Sequence, residues 1–168
     1  MTHIEVREKG QSIAFSFEDM MKYHGPGSPG GVAQAFKVME RAFPVLSPDG
    51  PPARRDVSIR TSFGGPGARD GFEAVTRAFT GDRYTVDPAL ARPDLGRERE
   101  RFVFVLTCDE RSVTVVVRDG IIDPEFIDLV RTEGRDEEQK ERLEVLKAEL
   151  AERTMGAAAA DVYDIDEG

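Results

Sequence analysis

The chain has 168 residues, with 23 Lys and Arg against 32 Asp and Glu, a formal net charge of −9 and one cysteine. That length suits one domain, or one domain with an appended helix, able to bury about 70% of its unfolded surface without staples. The acidic balance argues against nucleic acid and anionic membranes as partners, and the lone Cys108 excludes an internal disulfide and a cysteine metal cage.

The opening MTHIEVREKG has no signal-peptide character, and no apolar run approaches the roughly 20 residues a membrane span needs. The expectation is a soluble, cytoplasmic protein. In HIEVREKGQSIAFSF, 3–17, Ile4 and Val6 alternate with polar residues. Lys9-Gly10-Gln11 can turn, and Ile13, Phe15 and Phe17 alternate again, which reads as a short hairpin or two edge strands. Ser16 with Asp19 is an N-cap signature for a helix to about Tyr23. Pro26, Gly27, Pro29 and Gly30 then exclude helix. The next helix is expected over 31–43, burying Val32, Phe36, Met39 and Phe43.

Pro44 and the following SPDGPPARR read as an exposed loop, and DVSIRTSF, 56–63, as a strand. That strand runs into GGPGARDG, a second Gly/Pro-rich turn, and then a helix over 69–79 with Phe72, Val75, Ala78 and Phe79 inward. TGDRYTVDPALARPDLGRER is turn and loop, with a short candidate strand at 84–86. RFVFVLT and SVTVVVRD are rich in branched and aromatic residues and turn at Asp109-Glu110-Arg111: a buried antiparallel hairpin.

From Asp123 the pattern becomes helical. Asp123 is an N-cap, Pro124 a first helical residue and Gly134 a stop. DEEQKERLEVLKAELAERTMG is a long charged helix with a narrow stripe of Leu143, Leu146 and Leu150, and Glu138 is spaced to pair with Arg142. Such a stripe packs on the core or on a second copy of the chain, which makes a homodimer the expected assembly. Residues 162–165 are a further candidate strand. The expected organisation is an α+β core over 1–122, with 1–17 as a hairpin extension, and a helical extension over 123–168.

Two Gly-rich turns stand out: HGPGSPG, 24–30, before one helix, and GGPGARDG, 64–71, before another. The first resembles the loop of the FmdE-like family, named for a component of formylmethanofuran dehydrogenase: a helix ending in His-Gly-His-x-Cys-Pro-Gly and followed by a helix. His24, Gly25, Pro29 and Gly30 match; Pro26 stands for the second His and Ser28 for the Cys. In the family's Cys-Gly-x-Asp-Ala turn, Asp70 matches the Asp and Gly67 replaces the Cys. The ending, with LAER and DVYDID, is also similar. The resemblance covers most of the chain from about Phe17. It implies a mixed, largely antiparallel sheet packed against helices, similar to the substrate domain of glyceraldehyde phosphate dehydrogenases, with a long C-terminal helix. It implies dimers and links to one-carbon metabolism. It also implies a metal held by Cys and His. At those positions this chain offers His24, Ser28 and Gly67, so no metal or other cofactor is expected.

Read from chemistry alone, His24 either shapes the turn through a backbone hydrogen bond or serves as acid/base or anion contact beside a helix N-terminus. Asp70 is either a helix cap or a functional carboxylate, and Arg69 alone reads as a solvated first-turn residue. GGPG lacks dinucleotide-binding spacing. Cys108, ending an apolar strand, reads as a buried thiol. The leading expectation is a pocket between the two turns that takes a small anionic organic ligand without metal. His24 and Asp70 would be its acid/base pair, and Ser28, Gly30, Arg60 and Arg69 its ligand contacts. A non-catalytic accessory component of a one-carbon or molybdenum enzyme system is the alternative, and a heme or other cofactor carrier using His24 a weaker one.

Overall fold

The computed structural model describes residues 3–167. Strands β1 (His3–Glu8) and β2 (Gln11–Ser16) form the expected hairpin, antiparallel and separate from the main sheet. Lys9 and Gly10 both adopt positive φ at its tip, the mirror-image turn whose twist suits two strands. Ile4 and Val6 point inward and are buried. Helix α1 (Phe17–His24) starts at the expected capping box, in which Ser16 accepts from the Asp19 amide and Asp19 accepts from the Ser16 amide.

The second helix differs from the expectation at both ends. α2 runs Pro29–Leu46, so Pro29 and Gly30 lie inside it and Pro44 in its last turn. Pro29 is the first helical residue, where a missing N–H costs nothing because that donor has no partner in the helix anyway. At the other end Phe43 and Leu46, both buried, hold the turn around Pro44. Every residue from Val32 to Met39 is buried, so α2 is the central helix rather than a one-faced surface helix.

The main sheet has five strands in the order β4 (Tyr84–Val86), β3 (Val57–Thr61), β5 (Val103–Cys108), β6 (Arg111–Val117) and β7 (Tyr163–Ile165). Only the β3–β4 pairing is parallel. Period-2 alternation puts Val57, Ile59, Phe104, Leu106, Val113, Val115 and Tyr163 on the face toward the helices, all buried. Cys108 is buried among them, and burial, with Asp109 and Asp56 near, pushes its thiol up, as befits an inert packing residue. This is the expected α+β fold, and Tyr163–Ile165 supplies the strand anticipated near the end of the chain.

Helix α3 (Pro66–Thr76) starts and ends about three residues earlier than expected. Phe72, Val75 and Ala78 are buried as anticipated, but Phe79 lies beyond the helix and is 49% exposed. After α4 (Pro124–Arg131), capped by Asp123, the chain leaves the helix at Thr132, before Gly134. The long helix α5 (Glu137–Met155) follows, and the short α6 (Ala159–Val162) leads into β7. Leu143, Leu146 and Leu150 are buried, and Leu150 packs against Gly30 of α2. The stripe therefore serves this chain's own core. The expected Glu138–Arg142 pair is also replaced: Arg142 grips Glu125 of α4 with two 2.8 Å bonds. Among the described residues no helix is long and apolar enough to cross a membrane.

Candidate functional site

Helices α2 and α3 cross at their N-termini through residues without side chains. A Cβ on Gly31 would lie 2.9 Å from the Ala68 amide nitrogen, and one on Gly67 would lie 2.9 Å from Ser28 Cβ and closer still to the Ser28 carbonyl oxygen. One turn further on, a Cβ on Gly71 would lie 2.7 Å from Ala35 Cβ. The glycines at these three positions let the two backbones touch. The two Gly-rich turns are thereby brought together, as the sequence suggested.

The sequence-derived site residues divide into three places. Ser28 and Gly30 line a cavity of about 510 Å³, opened between the two turns and closed by α4, α5 and the 97–102 loop. His24 and Asp70 meet each other, Nδ1 to Oδ2 at 2.8 Å, but are not in the cavity wall. They lie beside the 25–28 turn, where a Cβ on Gly27 would stand 3.9 Å from His24 Nε2. Arg69 Nε donates to Asp70 Oδ1 at 3.1 Å, and its guanidinium covers the Phe79 ring. Arg60 joins neither group. Its neighbours Ile59 and Thr61 face the core, so the pleat turns Arg60 to the opposite, exposed face, where it reaches Asp87 at 3.4 Å.

Around His24 the chemistry is that of a fixed imidazole. Its side chain is 8% exposed, and Nε2 has no hydrogen-bond partner among the described residues. The ring bonds a carboxylate, not the backbone group that a mere turn-shaping role suggested. Asp70 stands one turn into α3, so it is not a cap. Burial pushes its carboxyl up, but hydrogen bonds from His24 and Arg69, with the charges of both, outweigh this and hold it below the usual carboxylate range.

The cavity has a different character. Five cations line it (Arg97, Arg101, Arg131, Arg135 and Lys147) and, among the described residues, no acidic one does, in a chain whose acids outnumber its bases. Arg97 pairs with Asp128 at 2.7 Å, Arg131 with Glu100 at 3.3 Å and Lys147 with Glu144 at 3.2 Å. Lys147 also donates to the Gly27 carbonyl. Arg135 closes the end of α4 by donating to three carbonyls, and neither it nor Arg101 has a carboxylate partner among the described residues. Both helix N-termini at the cavity lack a side-chain cap and an acidic first turn. They leave amide donors and positive partial charge uncompensated. Sequence reasoning missed the cations because they come from three separated stretches. The one local signal was the three arginines of GRERER, 96–101.

The metal that the resemblance implies does not fit the residues present. Of its three positions only His24 carries a good donor, and Gly67 has no room for the cysteine it would replace, because the Ser28 carbonyl fills that space. Among the described residues no group of three or more His, Cys, Asp or Glu is placed to hold a metal ion. No family model matches this chain, and no curated protein matches it.

Proposed function

We propose that this protein binds a small anionic organic ligand in the cavity between its two Gly-rich turns. The observation that carries the reading is the lining: five cations, no carboxylate among the described residues, and two uncapped helix N-termini around about 510 Å³, a volume in the usual range of small-molecule sites. Ser28 adds a hydroxyl at the α2 terminus. Arg101, which no described carboxylate holds, is the cation best placed to take a new anion, and guanidinium geometry suits a carboxylate or phosphate.

In this reading His24 and Asp70 are positioning residues rather than the acid and base of a reaction on the ligand. They pin the end of α1 to α3 across the 25–28 turn, and that turn delivers Ser28 to the cavity and offers its Gly27 carbonyl to Lys147.

The test is a melting-temperature screen of the purified protein against organic acids, phosphate esters and matched organic cations, repeated with Arg101→Glu and Lys147→Glu. Anions should raise the melting temperature, cations should not, and both charge reversals should abolish the shift. If no anion moves the melting temperature of the unaltered protein, or if the reversals leave the shift intact, the reading fails.

A further inference from the structure

The cavity wall is two-sided. The cations and helix N-termini occupy one part, while Phe63, Phe102, Phe126, Ile127, Val130 and Leu143 supply the rest. Four of these six are nearly excluded from solvent, Phe102 at 1%, Leu143 at 5%, Ile127 at 6% and Phe126 at 8%, so each edges the cavity with a narrow strip, and the half-buried Phe63 with Val130 offers the larger apolar surface. Val130 stands at the mouth, 47% exposed. A site for inorganic phosphate or a short hydroxy acid would not need this wall. Polar ligands gain nothing from it, and water held against it is readily displaced by carbon.

From this we infer that the ligand is an amphipathic organic acid, with one anionic head at the α2 and α3 N-termini and Arg101, and an apolar body against the aromatic and aliphatic wall. The inference rests on the anion-binding reading above and adds the chemistry of the body. The volume accommodates a body of medium length, and helix α4 forms its cover. Phe126 and Ile127 line the cavity from α4, while Glu125, Asp128 and Arg131 tie the helix to Arg142, Arg97 and Glu100. Both alkyl and aryl acids share this chemistry.

The experiment is calorimetric titration of the full chain with acetate, butyrate, hexanoate, octanoate, 2-naphthoate, citrate and octylamine, on the unaltered protein and on Val130→Asn and Arg101→Glu. Each added methylene should tighten binding about fourfold, the value expected for burying one CH₂. Val130→Asn, neutral and at an exposed position, should weaken octanoate several-fold and acetate much less. Octanoate should bind better than octylamine, and Arg101→Glu should remove that preference. Tighter binding of 2-naphthoate than of octanoate supports an aromatic body, and the reverse supports an alkyl one. Affinity that is flat from acetate to octanoate, with citrate bound as well, overturns the apolar body while leaving anion binding standing. Equal binding of octylamine and octanoate, or no binding of any probe, overturns both readings.

Discussion

His24 Nδ1 and Asp70 Oδ2 meet at 2.8 Å across 46 residues of sequence, joining the end of α1 to the second turn of α3. The pair is mostly buried, and its carboxylate is also bonded by Arg69. Because this environment depresses the Asp70 carboxyl, its stabilising effect is present above the unfolded value of about 3.9 and is lost as pH falls through the folded value. Asp70→Asn should therefore cost about 1–3 kcal/mol at neutral pH. Urea unfolding from pH 6 to pH 3 should show the gap between the two proteins closing on the acid side. A gap that stays constant to pH 3 would show that the ionised carboxylate contributes nothing.

The crossing of α2 and α3 makes a sharper prediction because one turn contains its own control. Gly67→Ala places a methyl group against the Ser28 backbone, which cannot step aside as a side chain could. Gly64→Ala, three residues earlier, meets nothing within 4 Å. The first should lower stability by about 1–3 kcal/mol through overpacking. The second should be neutral or mildly stabilising, since alanine has less freedom to lose. Thermal melts of the two variants decide this, and equal melting temperatures would refute the close-approach account.

Much of this was legible in the sequence, and the failures have physical causes. Alternation in β1, the branched and aromatic runs of β5 and β6 and the capping box at Ser16 are local signals, so the elements they announce were found. The end of α2 was misread because Pro44 breaks a helix only where packing does not hold the turn, and Phe43 and Leu46 do hold it. His24 and Asp70 were paired from the two turns, and they do meet. Their separation from the cavity was not legible, because it depends on the tertiary packing around the 25–28 turn, which the local sequence does not encode. Arg60 was misplaced for a simpler reason: strand parity sends it away from Ile59 and Thr61. The cationic lining was invisible because tertiary packing assembles it from 97–101, 131–135 and Lys147.

Tyr84 carries a buried hydroxyl with no hydrogen-bond partner among the described residues, and burial pushes its phenol up to about 12. An unsatisfied buried group is a liability, so Tyr84→Phe should leave neutral stability unchanged or raise it by about 1 kcal/mol. The alkaline limb follows from the raised value. The protonated phenol contributes stability that is full below the unfolded value of about 10 and disappears as pH rises toward 12. The Phe variant should thus lose less stability between pH 9 and pH 11, as measured by urea unfolding. A variant less stable at pH 7 would reveal a hydrogen bond to that hydroxyl.

The leucine stripe of α5 gives the most decisive test of how the C-terminal region is used. Leu146 is 2% exposed and Leu150 1%, and Leu150 lies against Gly30 within this chain. An interface between copies would leave such residues accessible in the folded monomer, and Leu146→Glu with Leu150→Glu would then give a folded protein of altered association. Here the substitutions put two carboxylates into a filled core without partners. The expected cost is at least about 4 kcal/mol, from lost burial and unpaired charge together. That is a large part of the roughly 5–15 kcal/mol a domain possesses. The same helix is tied into the sheet by a buried chain of bonds, in which Tyr163 donates to Gln34 at 2.6 Å and Gln34 donates to Thr154 of α5 at 3.0 Å. Displacing α5 therefore also unseats β7. The double variant should show loss of the cooperative melt in circular dichroism. A cooperative melt near the original temperature, with only the sedimentation behaviour changed, would instead assign the stripe to an interface between copies.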